Sequence, residues 1–199
     1  MGDLFPQSFF RSSPAAVARN LLGQKLVCDL YGHRISAYIL ETEAYDGEED
    51  GACHARHGKT TRNAPLYGEA GYSYIYFTYG MHWLTNVVVC PADYPAGVLF
   101  RAGLPREGLD IIAKRRGNQP RKMWCNGPAK LSQAFGLTGE HNGLAFFNPA
   151  SPLRIERGIM VPETKVKTGP RVGINYAPEP WLSMPWRFWV EENVLLAQS

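Results

Sequence analysis

From Tyr72 to Thr78 the sequence alternates with period two, placing Tyr72, Tyr74, Tyr76 and Thr78 on one side and Ser73, Ile75 and Phe77 on the other. After Tyr79-Gly80-Met81-His82 the run Trp83 to Cys90 alternates again, with Leu84, Asn86, Val88 and Cys90 together. Two such runs joined by a short glycine-containing link form a β-hairpin. The tip has the wrong chemistry for a solvated turn. Tyr79 and Met81 put bulky apolar groups where Asn, Asp or Ser normally sits. Exposed aromatics at a loop end imply insertion into a partner, unless a neighbouring loop covers them.

A second hairpin precedes it. Ser13-Pro14 offers an N-cap and a first-turn proline, and Gly23 closes a helix carrying Val17, Leu21 and Leu22. Gln24 to Tyr31 reads as a strand that turns at Gly32 into another, Arg34 to Tyr45. Residues 46–71 form a long, polar, glycine-rich loop of the kind that is functional or disordered. Gly97 to Leu104 is a further strand, in which Arg101 is a lone charge among Val98, Leu99 and Phe100. Such an arginine lies at a strand edge or pairs with an acid, and Glu43 is the candidate partner. A short helix is expected over 107–115. Asn126-Gly127-Pro128 opens another that ends by Gly136, with Lys130 in its first turn beside a potential phosphate seat. Strands are expected near Leu153–Glu156, Arg171–Asn175 and Arg187–Val190. The expected fold class is α+β: a single domain over 1–199, with a curved, mostly antiparallel sheet, peripheral helices and a protruding β-hairpin.

With 199 residues, 45% of them hydrophobic, the chain buries roughly 70% of the surface its unfolded form exposes, so it needs neither disulfide nor metal to fold. Its four cysteines stand singly, with no C-x-x-C pair, and free thiols are expected. No run of 18 apolar residues occurs, and Met1-Gly2-Asp3-Leu4-Phe5-Pro6 lacks a basic segment followed by an apolar one. The expectation is a protein without membrane association, in the cytoplasm (on the nucleoid in a bacterium, in the nucleus of a eukaryote). The net charge is only +3 but unevenly spread. Glu41 to Asp50 holds six acids and no base, whereas Arg101 to Lys130 holds eight bases against Glu107 and Asp110. The basic tract is either a solvated surface or a phosphate-binding face.

Along Tyr38 to Tyr45, strand alternation puts Ile39, Glu41, Glu43 and Tyr45 on one face and Tyr38, Leu40, Thr42 and Ala44 on the other. Two carboxylates then share a face about 7 Å apart. Either they have a use there or the strand runs out of the core into water. Cys53-His54-x-x-His57 has metal-ligand residue types, yet lacks a second ligand pair and is bracketed by Arg56 and Lys59, so no metal site and no cofactor is expected. No G-x-S-x-G, P-loop or G-x-G-x-x-G occurs. What remains is a carboxylate, an aromatic pocket, a histidine, an aromatic-tipped hairpin and a basic face. An enzyme that pries a nucleotide out of a duplex, stacks its base between rings and fills the hole needs that set. Two alternatives stay open. One is a metal-dependent nuclease using Glu41, Glu43 and the acidic loop. The other is a nucleic-acid-binding module without chemistry.

Seven segments carry a closer resemblance: Leu22-Gly23-Gln24-Lys25-Leu26-Val27, Glu41-Thr42-Glu43-Ala44-Tyr45, Tyr74-Ile75-Tyr76 through Tyr79-Gly80-Met81, Asn86, Val98-Leu99-Phe100-Arg101-Ala102, Asn126-Gly127-Pro128-Ala129-Lys130-Leu131 and Arg171-Val172-Gly173-Ile174. In order and from about Ala16 to Val190, they resemble the alkyladenine (3-methyladenine) DNA glycosylases. Cys53 and His82 depart from residues common in that family.

The resemblance implies a role for each matching position. Glu43 matches the general base that activates water, and Arg101 the arginine beside that water. Tyr45, His54 and Tyr76 match the residues that sandwich and read the flipped base. Asn86 matches the residue that rejects the 2-amino group of guanine, and Leu99 and Val172 match pocket lining. Tyr79, flanked by Gly80 and Met81, matches the wedge left in the duplex, and Lys130 lies in a matched DNA-binding segment. The implied partner is double-stranded DNA containing alkylated or deaminated purines, bound by a monomer. Arg101 is expected to keep Glu43 ionised, and Glu41 to be structural. With no lysine in the matched motifs near the sugar, strand-cleaving lyase activity is not expected.

Overall fold

The computed structural model describes residues 2–197. In chain order its helices and strands are α1 (Pro14–Asn20), β1 (Lys25–Leu30), β2 (His33–Asp46), β3 (Ser73–Thr78), β4 (His82–Val88), β5 (Ala96–Glu107), α2 (Leu109–Arg116), α3 (Pro128–Phe135), β6 (Leu153–Glu156), β7 (Lys167–Gly169), β8 (Arg187–Trp189) and α4 (Glu192–Leu196). The strands form one antiparallel sheet in the order β3-β4-β5-β2-β1-β6, with β8 added against β2 and β7 against β8. The sheet curls into a half-barrel.

β2 is the spine of that sheet. Its first half pairs with β1, and Glu41–Glu43 then pairs with β8, while β5 follows its other edge. The change of neighbour coincides with two register shifts. Ile39 faces Gly103, Glu41 faces Ala102 and Thr42 faces Phe100, so the ladder skips Leu40 on β2 and Arg101 on β5. Bulges of this kind bend a strand and re-aim the extra side chain. Beyond them, Thr42, Ala44, Val98, Phe100, Ala102, Ile75 and Val87 are all buried on one side of the sheet. There they pack with α1 and α3 around Leu21, Leu22, Phe135 and Phe146, and the Thr42 hydroxyl donates to the Ala18 carbonyl at 2.8 Å. The opposite face is left to Glu43, Tyr45, Tyr74, Tyr76, Asn86, Leu99 and Arg101.

Several expectations need correction. Residues 171–175 are a loop, not a strand, and the short strand before them is β7. Neither β7 nor α4 was expected. β5 continues to Glu107 because it follows the long β2, and α2 starts only at Leu109. Ser13 makes no side-chain cap to α1. The 46–71 segment contains a 3-10 turn at Ala64–Tyr67 and buries Asp50, Ala52, Cys53 and Ala55. β2 does not run out into solvent: the Glu43 side chain is wholly covered. All four cysteines are free and buried.

Candidate active site

Cross-strand register assembles the site. Glu43 on β2 stands opposite Leu99 on β5, Leu99 opposite Asn86 on β4, and Asn86 opposite Tyr74 on β3. These four residues form a row across one face of the sheet, about 14 Å long at the usual strand spacing. In the next row Gly97 faces Tyr45, where a side chain would press on Leu66. A cavity of about 720 Å³ opens over the row. Tyr45, His54, Tyr76, Asn86, Leu99 and Val172 all line it, so the six expected pocket residues come together.

Glu43 lies just behind this lining, tied to three residues that belong to it. One oxygen accepts the Val172 backbone N–H at 2.7 Å. The other accepts the Tyr45 hydroxyl at 2.9 Å and Arg101 Nη1 at 3.2 Å. Arg101 also donates from Nε to Glu41 at 2.9 Å, and Arg187 reaches the same Glu41 oxygen at 3.5 Å. Glu41 thus shares Arg101 with Glu43, and its own charge also raises the Glu43 pKa. Arg101 favours the ionised form of Glu43, as its placement predicts, and burial opposes it. Burial dominates and raises its pKa above the ordinary 4.5, against the lowering effect of Arg101, the Val172 N–H and Tyr45. Arg101 itself is desolvated, but Glu43 and Glu41 more than offset that and hold it firmly charged.

His54 packs edge-on to Tyr76 with ring centroids 4.3 Å apart, and its Nδ1 lies 3.1 Å from the Tyr74 hydroxyl. Burial, with Arg62 and Arg56 close by, lowers its pKa to about 4, so the imidazole is neutral near pH 7. Asn86 is buried and donates to the Tyr74 carbonyl at 3.1 Å, which fixes its amide at the cavity floor. Among the described residues no three His, Cys, Asp or Glu side chains converge as a metal-binding group. Cys53 and His54 point to different neighbours, and Arg101 fills the space between Glu41 and Glu43.

Tyr79, Gly80 and Met81 form the turn between β3 and β4, closed by Met81 N–H donating to the Thr78 carbonyl at 3.2 Å. Tyr79 has φ +51° and Gly80 +67°, left-handed geometry that a glycine adopts freely but that strains a bulky residue. Tyr79 is 84% exposed and Met81 67%. Neither backbone preference nor packing accounts for the tyrosine. Lys130 sits in the first turn of α3, where its ammonium donates to Asn126 at 2.8 Å. It does not line the cavity, although Pro128 does.

A model of the methylpurine-DNA glycosylases matches residues 8–194. The chain belongs to that family. Similar proteins named as candidate 3-methyladenine DNA glycosylases include one from Chlamydia abortus, 44% identical over 93% of this chain and 97% of its own. A Myxococcus xanthus protein so named is 42% identical over 94% and 90%. One from Methanocella arvoryzae is 41% identical over 94% and 92%.

The cavity of this glycosylase also brings together residues that sequence reasoning missed. Tyr74 backs His54, and Arg56 and Arg62 stand at the cavity wall, over the rings of Tyr176 (4.8 Å) and Tyr76 (5.4 Å). The Val172 contribution through its backbone N–H has no side-chain signature. Behind it, Arg171 and Asp50 form an ion pair with no exposed side-chain surface. An isolated arginine after a glycine-proline pair and one acid among six gave no sign that they would meet.

Proposed function

We propose that this glycosylase is monofunctional. It flips a damaged purine of the 3-methyladenine, 7-methylguanine, hypoxanthine or ethenoadenine class from duplex DNA and hydrolyses its N-glycosidic bond with water activated by Glu43. The observation that carries this reading is a fully covered carboxylate, bonded to Tyr45, Arg101 and Val172, directly behind an aromatic-walled cavity. Its one N–H bond leaves an acceptor site on the Val172-facing oxygen for a water. A raised pKa makes Glu43 a stronger base than an ordinary carboxylate. As the C1′–N bond breaks, positive charge develops on the sugar, and the ionised carboxylate stabilises it. The water oxygen bonds to C1′, its proton passes to Glu43 and then to solvent, and the purine leaves with the bonding pair, a neutral lesion such as hypoxanthine taking up a proton from solvent as it departs. An alkylated, cationic purine departs neutral, which lessens the need for a general acid.

Tyr45 and Tyr76 stack the base, and a cationic ring gains about 0.5–2 kcal/mol per tyrosine face over a neutral one. The immobile Asn86 amide disfavours the guanine 2-amino group, so unmodified guanine is rejected, while 7-methylguanine offsets that cost with its cationic ring and weakened glycosidic bond. Tyr79 fills the gap in the duplex, and Lys130 with the surrounding basic segment holds phosphates. Among the described residues the cavity lining contains no lysine to form a Schiff base with the sugar. Incubation with methylated duplex DNA is expected to release free methylpurine and leave alkali-labile abasic sites, in EDTA as well as in its absence. No adduct is expected after borohydride. Intact DNA at enzyme excess would refute the reading, EDTA-abolished release would favour a metal-dependent reaction, and a trapped adduct would refute the monofunctional part.

A further inference from the structure

The buried pair Asp50–Arg171 is a heavily hydrogen-bonded ion pair directly beside the residues already assigned. Arg171 donates to both Asp50 oxygens, at 2.5 and 2.8 Å, to the Ala44 carbonyl at 2.9 Å and to the Trp181 carbonyl at 3.3 Å. The Asp50 carboxylate also accepts the N–H groups of Asp46 and Ala52, at 3.1 and 2.9 Å. The guanidinium lies over the rings of Tyr45 and Trp186, at 4.8 and 5.2 Å. One arginine thereby ties the end of β2, the loop leading to His54 and the 172–174 loop into one unit. Its chain neighbour Val172 supplies the N–H on Glu43, and Tyr45, against which it stacks, supplies the hydroxyl on the other oxygen. A fold needing only stability at this spot has cheaper solutions, because a buried ion pair adds little over apolar packing.

We infer that Asp50 and Arg171 are positioning residues, which hold the Val172 N–H and the Tyr45 ring so that the Glu43 carboxylate is kept aimed and ionised for water activation. The inference rests on Glu43 being the general base. Glu43 is faced by Arg101 from β5, Glu41 and Tyr45 on its own strand, Tyr76 from β3, Arg187 from β8 and Arg171 from the loop. Of these, only Arg171 is placed to act through the backbone donor. Losing a charge-assisted N–H bond moves a carboxylate upward by about one pH unit.

The test is the pH dependence of single-turnover excision with 7-methylguanine duplex, at enzyme excess. In Arg171→Lys and Asp50→Asn the midpoint of the acidic limb rises by about one pH unit. The rate then falls about tenfold below that midpoint and recovers toward wild type at high pH. Affinity for an abasic-analogue duplex stays within about threefold. A merely structural role gives a loss that is equal at all pH values. Should both variants fail to fold, Val172 is introduced as its α-hydroxy acid. The resulting ester deletes the N–H alone, and the same shift is expected. Glu156→Gln serves as control: it breaks a second buried ion pair, with Arg154 at 3.1 Å on β6, and leaves the midpoint unchanged. An unshifted limb in the folded pair variants, or in the ester protein, overturns the inference. If Glu43→Gln abolishes excision while those proteins follow the wild-type curve, the general base stands and only the positioning role falls. If Glu43→Gln remains active, the base assignment itself falls.

Discussion

Glu43 and His54 are shifted in opposite directions by the same cause, loss of water. For Glu43, burial favours the acid form, so its ionised form is lost as pH falls through a midpoint above 4.5. Excision of a cationic lesion is therefore expected to show one acidic limb with its midpoint above 4.5. No second limb is expected near 6.5, because His54 stays neutral down to about 4. A limb near 6.5 that disappears in His54→Gln would contradict this. His54 also affects stability. Its folded pKa lies below the ordinary 6.5, so its contribution is present above 6.5 and is lost as pH falls from there toward 4. The loss is on the order of 3–4 kcal/mol at most. Urea midpoints measured across that window should fall less steeply in His54→Gln than in the wild type.

At the scale of elements, the β3–β4 hairpin pits backbone preference against use. Asn fits a left-handed φ better than Tyr, and the exposed Tyr79 ring packs little in the free protein. Tyr79→Asn is expected to raise Tm by a few degrees, for about 1 kcal/mol of relieved strain. The same change weakens binding to lesion-bearing duplex more than to single strand. Unchanged duplex affinity would remove the wedge role. This hairpin was legible in the sequence because its period of two is unbroken on both sides of Gly80. The 171–175 segment misled for a physical reason. Val172 and Ile174 alternate like a strand, but the Val172 N–H bonds the Glu43 carboxylate, not a neighbouring strand. β7, reading Lys-Thr-Gly, has no apolar residue to mark it.

Over the whole molecule, β2 holds core and site together, with Thr42 and Ala44 turned toward α1 and α3 and Glu43 and Tyr45 toward the cavity. Phe100 lies in that core, fully buried against Phe146 at 5.6 Å, between Leu99 and Arg101 in the chain. Phe100→Ala should cost about 3–5 kcal/mol in a urea titration. The α+β class and the antiparallel sheet followed from periodicity, and the pocket members from motif resemblance. The row Glu43–Leu99–Asn86–Tyr74 and the buried Asp50–Arg171 pair did not. Both depend on registers and loop closures between segments far apart in sequence, which no local pattern encodes. The central claim is that Glu43 does chemistry and does not merely support the cavity. It is tested most directly by single-turnover excision of 7-methylguanine by Glu43→Gln on duplex it still saturates. The account requires retained duplex binding with base release reduced by at least about 10³-fold, the scale of a lost general base with its charge stabilisation; release within about tenfold of wild type would contradict it.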